Sequence, residues 1–566
     1  MKRRRIYTAL ILGLLFLRAA GSADLITAER VDRAKPMEAR RAEWQRMAAD
    51  DLNGRGTSLK VDGRTVEGVS PRLTDKLELM LPADALPESF GCAAGRYDGS
   101  RLVVERNSAA MTMKAGEPSM DVNGISMKLS ESFREMDGRY YVPVEAVTKG
   151  LSYAAFWSPD SGVLSMEDKS RTGNSLPGAY DYREKGRAPA VKNQGALGTC
   201  WSFASLAALE SSLLPEESWE FSEDHMSLSN SFGMGQNDGG EYTMSMAYLL
   251  AWQGPVAEAD DPYGDGVSPQ NLEARKHVQE IQILPSKNYE AIKRAVYCTG
   301  GVQSSLYTSL KNEHSRSVYF NRNTSAYCYI GTEKPNHDVV IVGWDDNYPK
   351  ENFNMDLEGD GAFICVNSWG TAFGDGGYFY VSYYDTNIGI HNILYTGVEE
   401  TDNYDRIYQS DLCGWVGQLG YNRETAYFAN VFTAGGRESL DAVGFYATGP
   451  NTEYEVYVAE NLSETPDFQG KTPAASGRFE NGGYYTVKLA EPPGLSAGER
   501  FAVIVKITTP GGARPVAIEY SAEDKKAAVD ISDGEGYISH GGTVWERVEE
   551  QYGCNVCLKA YTSRLP

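Results

Sequence analysis

Along the 566-residue chain the pattern of apolar and polar positions changes texture several times. The first is an apolar run from Ile6 to Leu17, preceded by the basic stretch Lys2–Arg5 and followed by small residues at Ala19, Ala20, Gly21, Ser22 and Ala23. That order predicts an export signal cleaved near Gly21 or Ala23. The run is too short to span a bilayer, which takes about 20 residues. No later stretch is long and apolar enough to do so, and no cysteine at the cleavage region offers a lipid anchor. Next comes "DLITAERVDRAKPMEARRAEWQRMAADDLNGRG", charged, Ala-rich and helix-prone up to the Asn-Gly-Arg-Gly break at 53–56. From about Ser58 short strand-like runs alternate with turns: "SLKVDGRTVEG", "RLVVERN", "ISMKL" and "YYVPVEAVTKGLSYAAFWSPDSGVLSME". A polar, Gly/Pro-punctuated boundary, "EDKSRTGNSLPGAYDYREKGRA", separates this region from residues 175–398. After Asn403 Tyr-rich runs of period two, such as "TAYFANVFTA", "YEVYVAE", "GYYTVKLA" and "RFAVIVKITTP", continue to the end and predict an all-β sandwich.

Within 175–398 one helix is predicted strongly. In "NQGALGTCWSFASLAALESSLL" (193–214) Gly195 and Gly198 break the preceding chain, and Phe203, Leu206, Leu209 and Leu213 then recur at helical spacing. Cys200 falls in the first turn. Composition adds two constraints. The hydrophobic fraction of 42% can fill several cores, and the length suggests about three domains. A formal net charge of −23 repels phosphates, so a nucleic-acid partner is disfavoured and a solvated acidic surface is expected. Eight cysteines in 566 residues are too few to staple the fold, so cores must hold it; Cys298 and Cys328 are a candidate bridge.

A thiol attacks only as thiolate, and a helix N-terminus or an adjacent imidazolium favours that anion. Cys200 has the first. For the second, His337 is the one histidine whose surroundings place it, opening the apolar β run of "NHDVVIVGWDD". Asn367, at the end of a further strand in "VNSWGTAFGDGGYFYVSY", can accept from one imidazole nitrogen and leave the other facing the thiol. Trp369 would shield that bond from water. Gln194 supplies an amide donor for a developing oxyanion, with the Cys200 N–H as the second donor.

The order Cys200, His337, Asn367 resembles the papain family of cysteine peptidases. "LPGAYDYREKGRAPAVKNQGALGTCWSFA" looks like the start of a mature papain-like domain, "FSEDHMSLSN" resembles the family's Leu-Ser-Glu-Gln segment, and "GMGQNDGGEYTMSMAYLL" its Gly-Gly substrate loop. "GPVAEADDPY" and "VNSWGTAFGDGGYFYV" extend the likeness, so five ordered motifs carry it. The resemblance implies a Cys200 acyl-enzyme, His337 as proton carrier, Asn367 as its orienter, Gln194 in the oxyanion hole, and Gly239 and Gly240 pairing with extended substrate backbone, with Trp369 beside them. It also implies protein or peptide substrates and no cofactor or metal. Two positions depart from the family. Leu197 stands where a disulfide cysteine is usual, so the rigidity of the loop is expected to come from packing. Asp338 follows His337 where a small residue is common, which changes the local charge.

Residues 57–168 resemble the copper amine oxidase N-terminal-like module; the stretch has no histidine, so no copper site is expected. From "YQSDLCGWVGQLGYNRETAYFANVF" to "CNVCLKAY" the chain resembles a lectin-like domain, which implies surface or cell-wall glycans as partners. The expected architecture is therefore an α+β papain-like two-lobe domain, a helical lobe (about 195–255) plus a β-barrel-like lobe (about 300–398). An N-terminal α+β module and a C-terminal all-β sandwich flank it. The expected boundaries are a signal peptide at 1–23, a helical linker at 24–56, the N-terminal module at 57–170, the peptidase domain at 175–398 and the lectin-like domain at 403–566. The expected function is a secreted cysteine endopeptidase; the competing one is a non-catalytic or transpeptidase-like cell-surface protein that binds peptides or glycans. Cys554-x-x-Cys557 has no nearby second ligand pair for zinc, and the acidic "DLEGDG" (356–361) reads as a solvated turn.

Overall fold

The computed structural model describes Ala49 and most of residues 53–565, leaving out short segments such as 93–100, 169–175 and 523–526. The expected signal peptide and nearly all of the 24–56 linker lie outside the described residues. The chain divides into two compact units, residues 1–175 and 176–566.

In the first unit three four-stranded sheets surround one core that includes Leu59, Leu81, Phe90, Met111, Phe133, Val142, Val147 and Leu164. The run "YYVPVEAVTKGLSYAAFWSPDSGVLSM" folds as anticipated. A strand, Arg139–Pro143, leads into the helix Val144–Gly150, and then into the hairpin of Tyr153–Ser158 with Val163–Asp168. Pro143 at the N-cap fits the helix start, where its missing N–H costs nothing. Val163–Asp168 also pairs in parallel with Ser58–Val61, tying the two ends of the module together. Inside, the Arg106 guanidinium meets the fully buried Asp168 carboxylate and donates to the carbonyls of Phe90 and Leu151, both at 2.9 Å, so this buried charge is paired and its donors are used.

The second unit is built around one long sheet. From one end its strands run Phe320–Asn321, Ala326–Tyr327, Tyr378–Ser382, Ala362–Val366, His337–Asp345, Val302–Leu306, Asn392–Glu399 and His277–Ile283, forming the β lobe. The sheet does not stop there. His277–Ile283 pairs on its other side with Gly482–Lys488, followed by Glu438–Ala447, Leu558–Arg564 and Arg406–Tyr408. Backbone hydrogen bonds therefore run unbroken from the β lobe into the C-terminal region. Gly483 makes this possible: its φ is +137°, and a Cβ there would stand 2.1 Å from the carbonyl oxygen of Ile281. The apolar core crosses the junction with it, joining Leu206, Leu209 and Tyr248 to Tyr446, Tyr484 and Ala517.

A six-stranded sheet (Ala475–Phe479, Thr452–Ala459, Arg500–Thr508, Thr425–Thr433, Gly536–Ser539, Glu546–Arg547) completes the C-terminal sandwich, with one short helix, Val548–Tyr552. Strict alternation would leave one face of its central strand wet, but Arg500–Thr508 is buried on both. Phe501, Val503, Val505 and Ile507 enter the main core, whereas Ala502 and Ile504 join Val431, Tyr457 and Tyr537 in a second layer. That explains why "RFAVIVKIT" is almost continuously apolar. No helix among the described residues is long and apolar enough to cross a membrane.

Candidate active site

The helix Cys200–Leu213 begins at the expected residue. Its first-turn glycine break works as read: Gly198 lies so close to the 236–239 backbone that a Cβ would come within 3.0 Å of the Gly239 nitrogen. The helix is buried on nearly every side, with Trp201, Phe203, Leu206 and Leu209 in apolar contact and Ser202, Ser205 and Ser211 wholly enclosed. Those three hydroxyls donate to carbonyls one turn back (2.9, 2.8 and 2.7 Å), which satisfies them without breaking the helix. The backbone N–H groups of Cys200, Trp201 and Asp338 stand near enough to the Cys200 sulfur to favour its charged form. Two of these belong to the helix's own first turn, where N–H groups have no partner within the helix.

Asp338 is the residue after His337, so the sulfur sits against the start of the strand His337–Asp345. His337 is itself buried, pairing in the sheet with Leu306. Its Nε2 lies 2.7 Å from Asn367 Oδ1, which also accepts from the Ser368 N–H at 2.8 Å. An amide oxygen only accepts, so Nε2 carries the hydrogen and Nδ1 is left for other work. The Trp369 indole stacks on the imidazole at 4.8 Å and 29°, and Phe373 packs edge-on against the indole, keeping water from the His337–Asn367 bond. Gln194 arrives from the other side. Its N–H donates to Ser368 O (2.8 Å), Ser368 Oγ donates to its Oε1 (2.5 Å), and Gly370 N–H donates to Lys192 O (3.0 Å). Gln194 Nε2 donates one hydrogen to Leu197 O at 2.7 Å, and an amide nitrogen has a second. The structure thus brings together Cys200, His337, Asn367, Trp369 and Gln194.

Burial dominates the electrostatics. It pushes the Cys200 thiol up to about 12, with the Asp338 carboxylate adding to the rise, and pushes the His337 imidazole down to about 4 against the opposing bond from Asn367. Each charge is therefore disfavoured by its burial. The Asp338 carboxylate turns away, accepting from Gln303 Nε2 at 3.0 Å and from Ser305, and burial raises it too.

Gly239 has φ +83°, and a Cβ on Gly240 would strike the Trp201 indole at 2.4 Å, so this segment passes directly over the helix's first turn. The loop carrying Cys200 is held by polar bonds as well as by packing. Leu197 contributes its carbonyl, Gly198 N–H donates to Gln236 O (2.8 Å), Gln236 Nε2 donates to Asp224 Oδ1 (2.6 Å), and Thr199 Oγ1 lies 2.7 Å from Tyr263 Oη. The half-buried Leu197 has no deep apolar seat to be packed into, so its backbone does the fastening. The Cys298–Cys328 bridge is not formed: Cys298 closes the helix Tyr289–Cys298, while Cys328 packs with Tyr348 and Phe353. Cys554 and Cys557 are free and both buried.

Sequence reasoning missed Ser368, Tyr263, Gln236 and Asp224. All four stand in segments already singled out, but nothing in the residue order says which of their side chains turn toward Gln194 and the helix.

Comparison with known proteins agrees with this fold. A family model described as papain family cysteine protease matches residues 176–398, one described as lectin like domain matches 407–562, and one described as copper amine oxidase N-terminal domain matches 60–166. Cathepsin S from Bos taurus is 28% identical over 286 residues, covering 49% of this chain and 79% of its own. Cathepsin K from Mus musculus is 26% identical over 293 residues, with the same coverage of 49% and 79%. Among solved structures, the cysteine protease and lectin-like domains of Cwp84, a surface layer associated protein of Clostridium difficile, superpose with a TM-score of 0.60 at 27% identity over 69% of this chain and 90% of that one. A second structure of clostridial Cwp84, after propeptide cleavage, gives 0.61 at 28% identity over 68% and 99%. Residues 176–398 therefore carry a papain family cysteine protease domain, with a copper-amine-oxidase-N-terminal-like module before it and a lectin-like domain after it.

Proposed function

We propose that the enzyme is an exported endopeptidase in which Cys200 is the nucleophile, His337 the proton carrier, Asn367 its orienter and Gln194 an oxyanion donor. One observation carries this reading: Cys200, at the head of a buried helix, lies against the His337 strand, and the His337 ring is locked to Asn367 at 2.7 Å. The chemistry follows from the geometry. The thiol proton passes to His337 Nδ1, and the thiolate forms an S–C bond to the substrate carbonyl carbon. The carbonyl oxygen becomes an oxyanion between the Cys200 N–H and the second Gln194 Nε2 hydrogen. His337 then gives its proton to the leaving nitrogen as the C–N bond breaks, and later takes one from the water that opens the thioester. Trp369 keeps the imidazole–amide bond dry, and the Gly239–Gly240 segment offers backbone to an extended peptide. Export is supported by the pattern of residues 1–23, and the surface-layer association printed for Cwp84 is compatible with it. The lectin-like domain supports glycan contact on the same footing.

The test pairs a thiol-directed epoxide with Cys200→Ser. Labelling of the full chain at Cys200, hydrolysis of an unfolded protein, and loss of both in Cys200→Ser are expected. Absence of labelling, or hydrolysis retained in Cys200→Ser, refutes the assignment and favours a binding role.

A further inference from the structure

We propose that Tyr263 is a positioning residue whose single hydroxyl sets both halves of the oxyanion hole, the Gln194 loop and the N-terminus of the Cys200 helix. The inference rests on the reading of Cys200 and Gln194 given above.

The Tyr263 hydroxyl donates to the backbone carbonyl of Gln194 at 2.9 Å and lies 2.7 Å from Thr199 Oγ1. A phenol has one hydrogen and a carbonyl can only accept, so the Thr199 hydroxyl must donate to the tyrosine oxygen. This assigns every hydrogen in the bridge Gln194–Tyr263–Thr199. Its consequence at Thr199 is specific. Thr199 is the N-cap of the nucleophile's helix, a position where threonine ordinarily accepts from the second or third helical N–H, here Trp201 or Ser202. It makes no such capping bond. Ser202 N–H is already taken by Thr199 O at 3.0 Å, and Trp201 N–H stands near the Cys200 sulfur, whose charged form it favours. A Thr199 hydroxyl free to cap would compete with the sulfur for the Trp201 N–H. Held by Tyr263, it does not.

Tyr263 is itself fixed from several sides. Its N–H donates to Glu258 Oε1 at 3.0 Å, and its ring meets Phe203, one turn along the same helix, edge-on at 4.8 Å and 85°. The next residue, Gly264, donates to Asp224 Oδ2 at 3.0 Å, and Asp224 holds the Gln236 that accepts from Gly198. The tyrosine thus closes a polar ring around the loop 194–199, in the place where the papain-like pattern would have put a covalent tether. Because its hydroxyl is spent within the protein, Tyr263 acts on substrate only through Gln194 and the helix.

The experiment is Tyr263→Phe in the full chain, which removes one oxygen and leaves the Phe203 contact. Loss of one aligned hydrogen bond at the donors is expected to lower kcat about tenfold with KM within about twofold. Alkylation of Cys200 by iodoacetamide should also slow at pH 6. Adding Thr199→Val should return part of that loss, since valine cannot cap, a non-additivity expected of coupled residues. A kcat within about twofold of the parent overturns the inference. So does a fall in melting temperature with kcat per folded molecule unchanged, which is what a merely structural tyrosine would give. If Tyr263→Phe does not fold, Thr199→Val alone decides: a kcat loss under about threefold agrees with a hydroxyl held aside, and a larger loss overturns it. Cys200→Ser separates the two levels. Turnover in that variant removes the underlying site reading, whereas an inactive Cys200→Ser beside an unimpaired Tyr263→Phe removes the Tyr263 role only.

Discussion

Asp338→Asn is the most telling perturbation of the active-site electrostatics. Its carboxylate is buried and works against a negative charge on Cys200. The magnitude follows from proximity. The Asp338 backbone adjoins the sulfur and its carboxylate is felt there, so a separation on the order of 6 Å is taken for the two charges. Two unit charges at that separation interact by about 2.8 kcal/mol at an effective dielectric near 20, or roughly 100-fold in the thiolate-to-thiol ratio. Burial also pushes the Asp338 carboxyl up, so part of that charge is absent at acid pH, and a gain of about tenfold is the expectation. Asparagine keeps an acceptor for Gln303 Nε2 and can donate to the Ser305 hydroxyl, so the fold should be untouched. The sign is definite: removing a neighbouring negative charge favours the thiolate and moves the acid limb to lower pH. The assay is the pH profile of Cys200 alkylation by a neutral reagent, from pH 4 to 9, with the modified residue identified by mass. An unchanged profile, or one displaced to higher pH, would refute the reasoning.

Two further outcomes are expected. Lys192 is shared by the buried carboxylates of Glu210 and Glu223 at 2.9 and 2.8 Å, and burial pushes Glu223 up to about 8 from its usual 4.5. The folded state then keeps a proton that the unfolded chain releases, so stability should decline as pH rises from about 4.5 to 8. Urea denaturation at pH 5 and pH 8 should show a smaller decline in Glu223→Gln, and an equal one contradicts the account. Gly483→Val forces a Cβ into the Ile281 carbonyl at 2.1 Å and a β-branched residue into φ +137°, which should cost more than about 3 kcal/mol. A variant that melts with the parent shows that the junction does not need the close approach.

The candidate site was legible because its residues sit in short local patterns. Gly198 and the apolar spacing after Trp201 place a helix start at Cys200, and the β run after His337 fixes where its first residue stands. The clustering of Cys200, His337 and Asn367 needed only the order of those elements. Two things were not legible. The partners of Gln194, namely Ser368 and Tyr263, depend on which way side chains turn in loops that follow no period. The joining of His277–Ile283 to Gly482–Lys488 depends on register between segments about 200 residues apart, for which alternation offers no marker. The two strands are buried or half-buried at that contact, and the glycine at 483 hints that another backbone comes close. The packing forecast at Leu197 was incomplete for a related reason: a side-chain type does not reveal what its backbone carbonyl does.

The unbroken sheet across the peptidase and lectin-like domains also governs reach. A domain on a flexible linker sweeps a volume, and its partner meets targets at many separations with an effective concentration set by linker length. Here the coupling between the two is a ladder of backbone hydrogen bonds from His277–Ile283 to Gly482–Lys488, which has no hinge to sweep about. Every point on the lectin-like domain therefore stands at a single height and bearing from Cys200, like a blade clamped to a guide rail.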